Sequence, residues 1–404
     1  MGRSRTNFVM SACAVLILLL TAATAIAEPG VTKNEVLVGM STVLSGPSVY
    51  LGTNFRLGSE AYLNRINEQG GINGRKIRLI VYDDGYEPAR TVVNANKLVK
   101  EDGVFCLLGD VGTPTTVAIK SFLMNEKVPL FAPFTGAESL RSPVSRYLLH
   151  YRASYNQEVE KFIEGAVDVL GFKKIAVFYQ NDAYGMAVLD ATKTALKKRG
   201  LSPKVTGTYT RNFEDVSRAF EDIMVAKPQA VVMAGTYSAC AKFIVMWKRQ
   251  YYLKGQPKDL NPVFMNVSFV GADSLAAMLD KYGANVVVTQ VVPPFDNAGA
   301  AYPAIEEYLS TLSRYYPNQK PNFVSLEGYL ATKVFVEVLK KAGKDLTRES
   351  FINAAEDMKN LDIQAGNIIS FAPDNHQGSQ MVYPTVLKNG RFQLITDWNA
   401  LRNE

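Results

Sequence analysis

Histidine and cysteine are scarce in this chain, and their scarcity removes whole classes of chemistry. The only two histidines, His150 and His376, lie far apart in 404 residues, with no HExxH or other paired-ligand spacing around either. A zinc centre or a Ser-His-Asp relay would have to rest on one of them alone. The G-x-S-x-G elbow is absent, as is a G-x-G-x-x-G following a strand. Of three cysteines, Cys106 sits in the apolar run Val104 to Leu108, where a small inert thiol fits, and its spacing to Cys240 gives no reason for a disulfide. Basic clusters are also missing. The formal charge is +6, and no run exceeds Lys197-Lys198-Arg199, which reads as cations at a helix C-terminus. Nucleic acid is therefore not an expected partner. These absences argue against an enzyme, a metal and a cofactor.

What is present begins with the first 27 residues. Arg3 and Arg5 precede an uncharged apolar run from Phe8 to Ala23, and Ala25-Ile26-Ala27 supplies a small-x-small cleavage pattern. The run is about 16 residues, short of the roughly 20 that cross a bilayer. Cys13 precedes most of the run, which does not suit a lipoprotein. The expectation is a signal peptide, 1–27, cleaved after Ala27, and a soluble protein delivered to the periplasm. No later segment approaches membrane-spanning length.

Beyond the leader, strand and helix patterns alternate. Strands are expected at Glu35 to Met40, Ile77 to Tyr82, Phe105 to Leu108 and Val128 to Ala132. Helices between them carry Leu57, Ala61, Tyr62 and Ile66, then Val92, Ala95 and Val99, then Thr115 to Asn125, the first stopped by Gly70-Gly71. The rhythm restarts with strand Lys174 to Tyr179 and helix Gly185 to Arg199, then strand Lys204 to Tyr209 and helix Phe213 to Val225. Strand Ala230 to Gly235, helix Ala239 to Tyr252, strand Pro262 to Asn266, helix Ser274 to Tyr282 and strand Val286 to Gln290 complete it. Long helices follow at Ala301 to Tyr315 and Phe323 to Ala342, and a hairpin, Met381 to Leu387 and Arg391 to Thr396, turns through Asn389-Gly390. Right-handed crossovers make such sheets parallel and covered on both faces, so the fold class is α/β in two lobes.

Ligands gather beyond the carboxyl ends of parallel strands. Three loops fall there: Ser45 to Gly52, Gly109 to Thr116, and Pro133 to Ala137. The second runs into a helix with glycines, hydroxyls and free N–H groups at its positive end, an environment that suits a carboxylate. Taken alone, its plainer reading is that Thr113 and Thr115 cap the helix, with proline in the first turn. It lacks the Gly-Lys-Ser/Thr ending of a phosphate loop. Asp83-Asp84-Gly85 reads as turn and cap rather than as a catalytic pair.

Ser45-Gly46-Pro47, Gly70-Gly71-Ile72-Asn73-Gly74-Arg75, Tyr82-Asp83-Asp84 and Phe131-Ala132-Pro133-Phe134-Thr135-Gly136-Ala137 together resemble the leucine/isoleucine/valine-binding-protein family. These are type I periplasmic solute-binding proteins of ABC transporters, and the resemblance spans essentially the whole chain after the leader. It implies two Rossmann-like lobes with parallel central sheets joined by a three-strand hinge, one lobe of 28–153 plus 293–380 and another of 154–292 plus 381–404. It implies a solute held between closing lobes, a hydroxyl at Thr113 for its carboxylate, and backbone groups at Phe134, Thr135 and Gly136. Tyr50 and Leu51 on the first loop, with Tyr155, Tyr184 and Tyr237, would wall the site. The acid that neutralises an amino acid's ammonium falls on Ser268, a departure from the pattern, and Asp273 lies nearby at the wrong spacing.

The function expected is an extracytoplasmic receptor for a small carboxylate-bearing solute, serving an inner-membrane ABC permease and acting as a monomer. The solute is an amino acid by family, or an organic or aromatic acid by the missing counter-charge. Alternatives are a ligand sensor for a receptor kinase and, from another class, a secreted α/β enzyme.

Overall fold

The computed structural model describes residues 28–253, 261–295 and 302–402. The expected leader, 1–27, lies outside the described residues. Alternating apolar and permissive positions make β1 (Glu35–Thr42), followed by α1 (Val49–Glu68), β2 (Lys76–Asp83), α2 (Pro88–Asn96), β3 (Cys106–Leu108), α3 (Thr113–Asn125), β4 (Leu130–Phe131) and β5 (Leu148–Leu149). These strands form one parallel sheet of order β2-β1-β3-β4-β5. β3, β4 and β5 are short and buried on both faces, as crossover helices require.

The chain then passes into a second sheet. After α4 (Tyr155–Ile163) come β6 (Ile175–Gln180), α5 (Ala183–Lys197), β7 (Val205–Tyr209), α6 (Ser217–Val225), β8 (Ala230–Ala234), α7 (Tyr237–Leu253), β9 (Val263–Asn266), α8 (Ala272–Leu279) and β10 (Val286–Gln290). Next, α9 (Pro303–Tyr315), α10 (Phe323–Ala342) and α11 (Arg348–Glu356) return to the first lobe, α10 lying along α1. Gly58 and Gly328 permit that approach: a Cβ on Gly58 would stand 1.8 Å from the Ser325 carbonyl oxygen, and one on Gly328 2.2 Å from that of Phe55. A two-stranded ribbon, β11 (Leu361–Asp362) and β12 (Ile368–Ile369), leads to β13 (Tyr383–Lys388), which joins the second sheet antiparallel to β10, and to β14 (Arg391–Leu394), which pairs antiparallel with β13 at the edge. The chain thus changes sheet three times.

Several boundaries differ from the sequence-based expectation. The helix expected from Phe213 begins at Ser217, after Asn212 adopts a left-handed φ of 61°. The helix expected over Ser274 to Tyr282 is an α-helix only to Leu279 and tightens to a 3₁₀ turn over Asp280–Tyr282. α4, with its Ser154/Gln157 capping box, β5 and α11 were not anticipated. Cys106 and Cys240 are buried free thiols, each in a different lobe. Among the described residues, no helix is long and apolar enough to cross a membrane.

Candidate functional site

The carboxyl ends of the two parallel sheets face each other, and their loops meet in a buried seam. On the first lobe, α3 begins at Thr113 after Gly112, whose φ of 113° only glycine adopts readily and whose Cβ would stand 2.3 Å from the Tyr86 ring. Threonine capping of this helix is a correction: the helix has no side-chain cap. Thr115 and Thr116 turn back onto the carbonyls of Val111 and Gly112, while the buried Thr113 hydroxyl pairs with that of Thr135 at 2.7 Å. The Thr113 and Thr115 N–H groups in the first turn of α3 have no intrahelical acceptor, and Pro114 between them has no N–H.

Aromatic rings line the junction. Phe134 and Tyr86 of the first lobe both contact Phe269 of the second, with centroids 5.4 and 5.9 Å apart. Phe269 also meets Tyr184 at 4.6 Å, and Tyr184 meets Tyr155 at 5.4 Å. Tyr155 follows the first crossing and donates its backbone N–H to the carbonyl of Gly136 at 2.7 Å. Its hydroxyl lies near Thr135 but makes no hydrogen bond of normal geometry, and burial pushes its pKa up to about 12. At the rim, Tyr50 packs edge-on against Tyr237 at 5.7 Å and donates its N–H to the Tyr237 hydroxyl at 3.3 Å. Leu51 lies buried beneath Gly271. Polar ties cross the seam as well: Gln180 donates to the Tyr86 hydroxyl at 3.1 Å, and Arg211 bridges Glu87 and Asp182 at 3.0 and 2.9 Å. The lobes are therefore closed on each other.

Ser268 is where an ammonium-neutralising acid was expected, and the structure brings one from elsewhere. Glu158 on α4 accepts from the Ser268 N–H at 2.7 Å, the Ser268 hydroxyl at 3.0 Å, the Thr289 hydroxyl at 2.6 Å and the Arg152 guanidinium at 3.3 Å. Arg152 also donates to Ser268, and its Nε lies 3.6 Å from Glu327 on α10, too far for a hydrogen bond. Burial opposes the Arg152 charge, but Glu327 and Glu158 outweigh it and raise its pKa. Burial raises Glu327 to about 7, against the pull of Arg152. The guanidinium stacks 4.8 Å above the centre of the Phe134 ring. Asp273, the nearby acid, instead accepts from the Phe323 N–H at 3.0 Å, and burial brings its pKa to about 6.

All the residues expected at the site thus lie along one seam, in a chain from Tyr50, Leu51 and Tyr237 through the aromatic cluster to Thr113, Thr135, Gly136 and Ser268. Sequence reasoning missed Tyr86, Phe269, Arg152, Glu158 and Glu327. A signal existed for two of them: Arg152 ends an apolar stretch at a lobe crossing, and Glu327 is a lone acid within the apolar face of α10. The Asp83-Asp84 reading holds for the turn but not for the cap, since α2 starts after Glu87 with no side-chain cap. Asp83 accepts from the N–H groups of Leu44 and Gly85, and Asp84 from that of Tyr86. Two open clefts lie outside the aromatic cluster, one of about 820 Å³ beside Tyr302 and Asn367 and one of about 860 Å³ between the lobes, lined by Asp273 and Arg391 on one side and Pro321 and Phe323 on the other. None of the expected site residues lines either.

A family profile described as periplasmic binding protein matches residues 35–391. A curated relative, the Leu/Ile/Val-binding protein BraC3 of Rhizobium johnstonii, is 23% identical over 83% of this chain and 87% of its own. The crystal structure of a possible leucine/isoleucine/valine-binding protein from Rhodopirellula baltica superposes with a TM-score of 0.84 at 33% identity, covering 93% of this chain and 99% of that one. A branched-chain amino acid ABC transporter protein from Thermus thermophilus, solved with bound valine, shares the fold at a TM-score of 0.79 and 19% identity, over 91% and 97% of the two chains.

Proposed function

Because the chain belongs to the periplasmic binding protein family, whose members bind solutes rather than transform them, we propose that it is an extracytoplasmic receptor that closes on a small carboxylate-bearing solute and delivers it to an inner-membrane ABC permease. The lobes proposed to move are 28–153 with 293–380 and 154–292 with 381–404, in a monomer secreted after cleavage at Ala27. The observation that carries this reading is the meeting, at the facing carboxyl ends of two parallel sheets, of hydroxyls, a helix N-terminus and aromatic walls drawn from separate loops. Thr113, Thr135 and the Tyr155 hydroxyl are the proposed carboxylate donors, with Phe134, Tyr184 and Tyr237 excluding water. Leu/Ile/Val-binding relatives and a valine-bound structural neighbour share a carboxylate ligand, which favours this chemistry.

Two expected results test it. A solute that raises the melting temperature should also compact the protein in small-angle scattering, because it binds the closed form through both lobes. Strong stabilisation without compaction would defeat the hinged reading. Thr113→Ala should weaken that solute by about 1–3 kcal/mol in calorimetry, since it removes a buried hydroxyl and strands Thr135. Asp83→Asn, in the neighbouring turn, should leave affinity unchanged.

A further inference from the structure

We propose that Arg152 joins the Thr113, Thr135 and Tyr155 hydroxyls in receiving the carboxylate of a solute that carries no ammonium, with Glu327 yielding its ion pair to the incoming anion. This rests on the receptor reading above and narrows its solute class. Arg152 is almost wholly buried, yet among the described residues its Nε and Nη1 groups find no hydrogen-bond acceptor. It lies against three expected site residues, stacked on Phe134, within 6.0 Å of the Tyr155 ring, and bonded to Ser268. Two groups that interact with it are also buried without partners, Arg141 Nε and the Tyr155 hydroxyl, and both are donors. Unmet donors grouped around a guanidinium call for an anionic acceptor, which gains charge-assisted hydrogen bonds there.

An ammonium finds much less. A carboxylate offers about four lone-pair sites, and Glu158 already accepts from the Ser268 N–H and hydroxyl, Thr289 and Arg152. The acid standing at the family's ammonium position is therefore occupied from within the protein. Glu327 is the other carboxylate at Arg152, and among the described residues it is held by its 3.6 Å ion pair to that guanidinium. The charged and titratable groups facing it are Arg152, Glu158, Arg141 and Tyr151. With Glu158 and Glu327 both ionised, Arg152 already stands between two negative charges, and a third anion is repelled. Protonating Glu327 relieves this, and with a pKa of about 7 the proton is available near neutrality. The step balances as one solute anion bound and one solvent proton placed on Glu327.

The test uses the mature protein with two matched pairs of probes, 4-methylpentanoate against leucine and 3-phenylpropanoate against phenylalanine. Each is titrated calorimetrically between pH 6 and 9 in buffers of different ionisation heat. The amine-free acids should bind at least about tenfold more tightly than their amino counterparts, which lack a free acceptor for their ammonium. Below the pKa of Glu327 their affinity should be flat. Above it, affinity should fall by a factor approaching ten per pH unit, with close to one proton taken up per solute at pH 8. Glu327→Gln should retain acid binding and abolish the pH dependence, while Arg152→Lys should weaken the acids more than about tenfold by losing the planar fork. Tighter binding of the amino acids, lost in Glu327→Gln, would overturn the inference and make Glu327 an ammonium partner, leaving the receptor reading intact. Acid binding without proton uptake would equally overturn the exchange at Glu327. Failure of all four probes to bind would overturn both this inference and the carboxylate reading of the solute.

Discussion

Glu158→Ala should destabilise the folded protein by about 3–5 kcal/mol, because it breaks a buried ion pair by removing one partner. Arg152 and Glu158 are both essentially inaccessible to water, and water cannot replace the lost carboxylate without opening the lobe junction. Four donors lose their acceptor together: the Ser268 N–H and hydroxyl, the Thr289 hydroxyl, and the Arg152 guanidinium. Each buried donor left unsatisfied costs about 1–3 kcal/mol, and Glu327 recovers only part of the Arg152 charge interaction. The loss should appear in urea unfolding as a lower midpoint with an unchanged slope. Glu158→Gln, which keeps volume and one acceptor oxygen, should fall between wild type and alanine. A loss under about 1 kcal/mol for the alanine variant would mean that Arg152 finds other acceptors, and would remove the basis for treating Glu158 as saturated.

How far this arrangement was legible in the sequence depends on distance along the chain. Strand and helix alternation came through because each element is defined by its own period, and α10 was placed at Phe323–Ala342, the span the structure gives it. β5 escaped because two residues, Leu148–Leu149, carry no period at all and earn their place only by pairing with Leu130 and Phe131. α4 was overlooked because its regular part is only Tyr155–Ile163 before it widens to a π turn over Glu164–Val169, which shifts the apolar spacing. The terminal hairpin was foreseen through Asn389-Gly390, where both residues adopt positive φ, but its docking beside β10 is a tertiary fact.

The site divides in the same way. Thr113, at the start of α3, and Phe134 and Gly136 follow strands closely, so their place at the seam was readable from the sequence. Glu158 meets Ser268 across 110 residues of sequence, so no local pattern announces that the expected acid is supplied from another helix. Tyr86 is hidden for a different reason: a left-handed φ of 60° just after β2 turns its ring across the seam towards Phe269, and tyrosine has no sequence preference for that conformation. Residues whose roles depend on backbone position were readable. Those defined by a partner from the other lobe were not.

Gly271→Leu should abolish tight solute binding while leaving both lobes folded. A Cβ on Gly271 would stand 2.8 Å from Leu51 Cδ2, 3.3 Å from a Tyr237 ring carbon and 3.5 Å from one of Tyr50. Leu51 and Tyr50 belong to the first turn of α1 in the first lobe and Tyr237 to α7, so a larger side chain acts as a wedge where the lobes touch. Gly271 also has a φ of 81°, and a non-glycine residue there carries strain of about 1–2 kcal/mol. That strain is present whether the lobes are open or closed, so it lowers the melting temperature but cancels from binding. The clash with Leu51 and Tyr50 exists only in the closed form, whereas Tyr237 lies on the same lobe as Gly271. Overpacking of about 3 kcal/mol set against closure corresponds to roughly a hundredfold loss of affinity at 1.4 kcal/mol per tenfold. Scattering should show the variant remaining extended at solute concentrations that compact the wild type. Gly271→Ala should have a smaller effect, because the end of the Leu51 side chain can move aside from a single methyl. Wild-type affinity in Gly271→Leu, with compaction retained, would show that the lobes close without bringing Leu51 and Gly271 together, and the solute would have to be sought away from this seam.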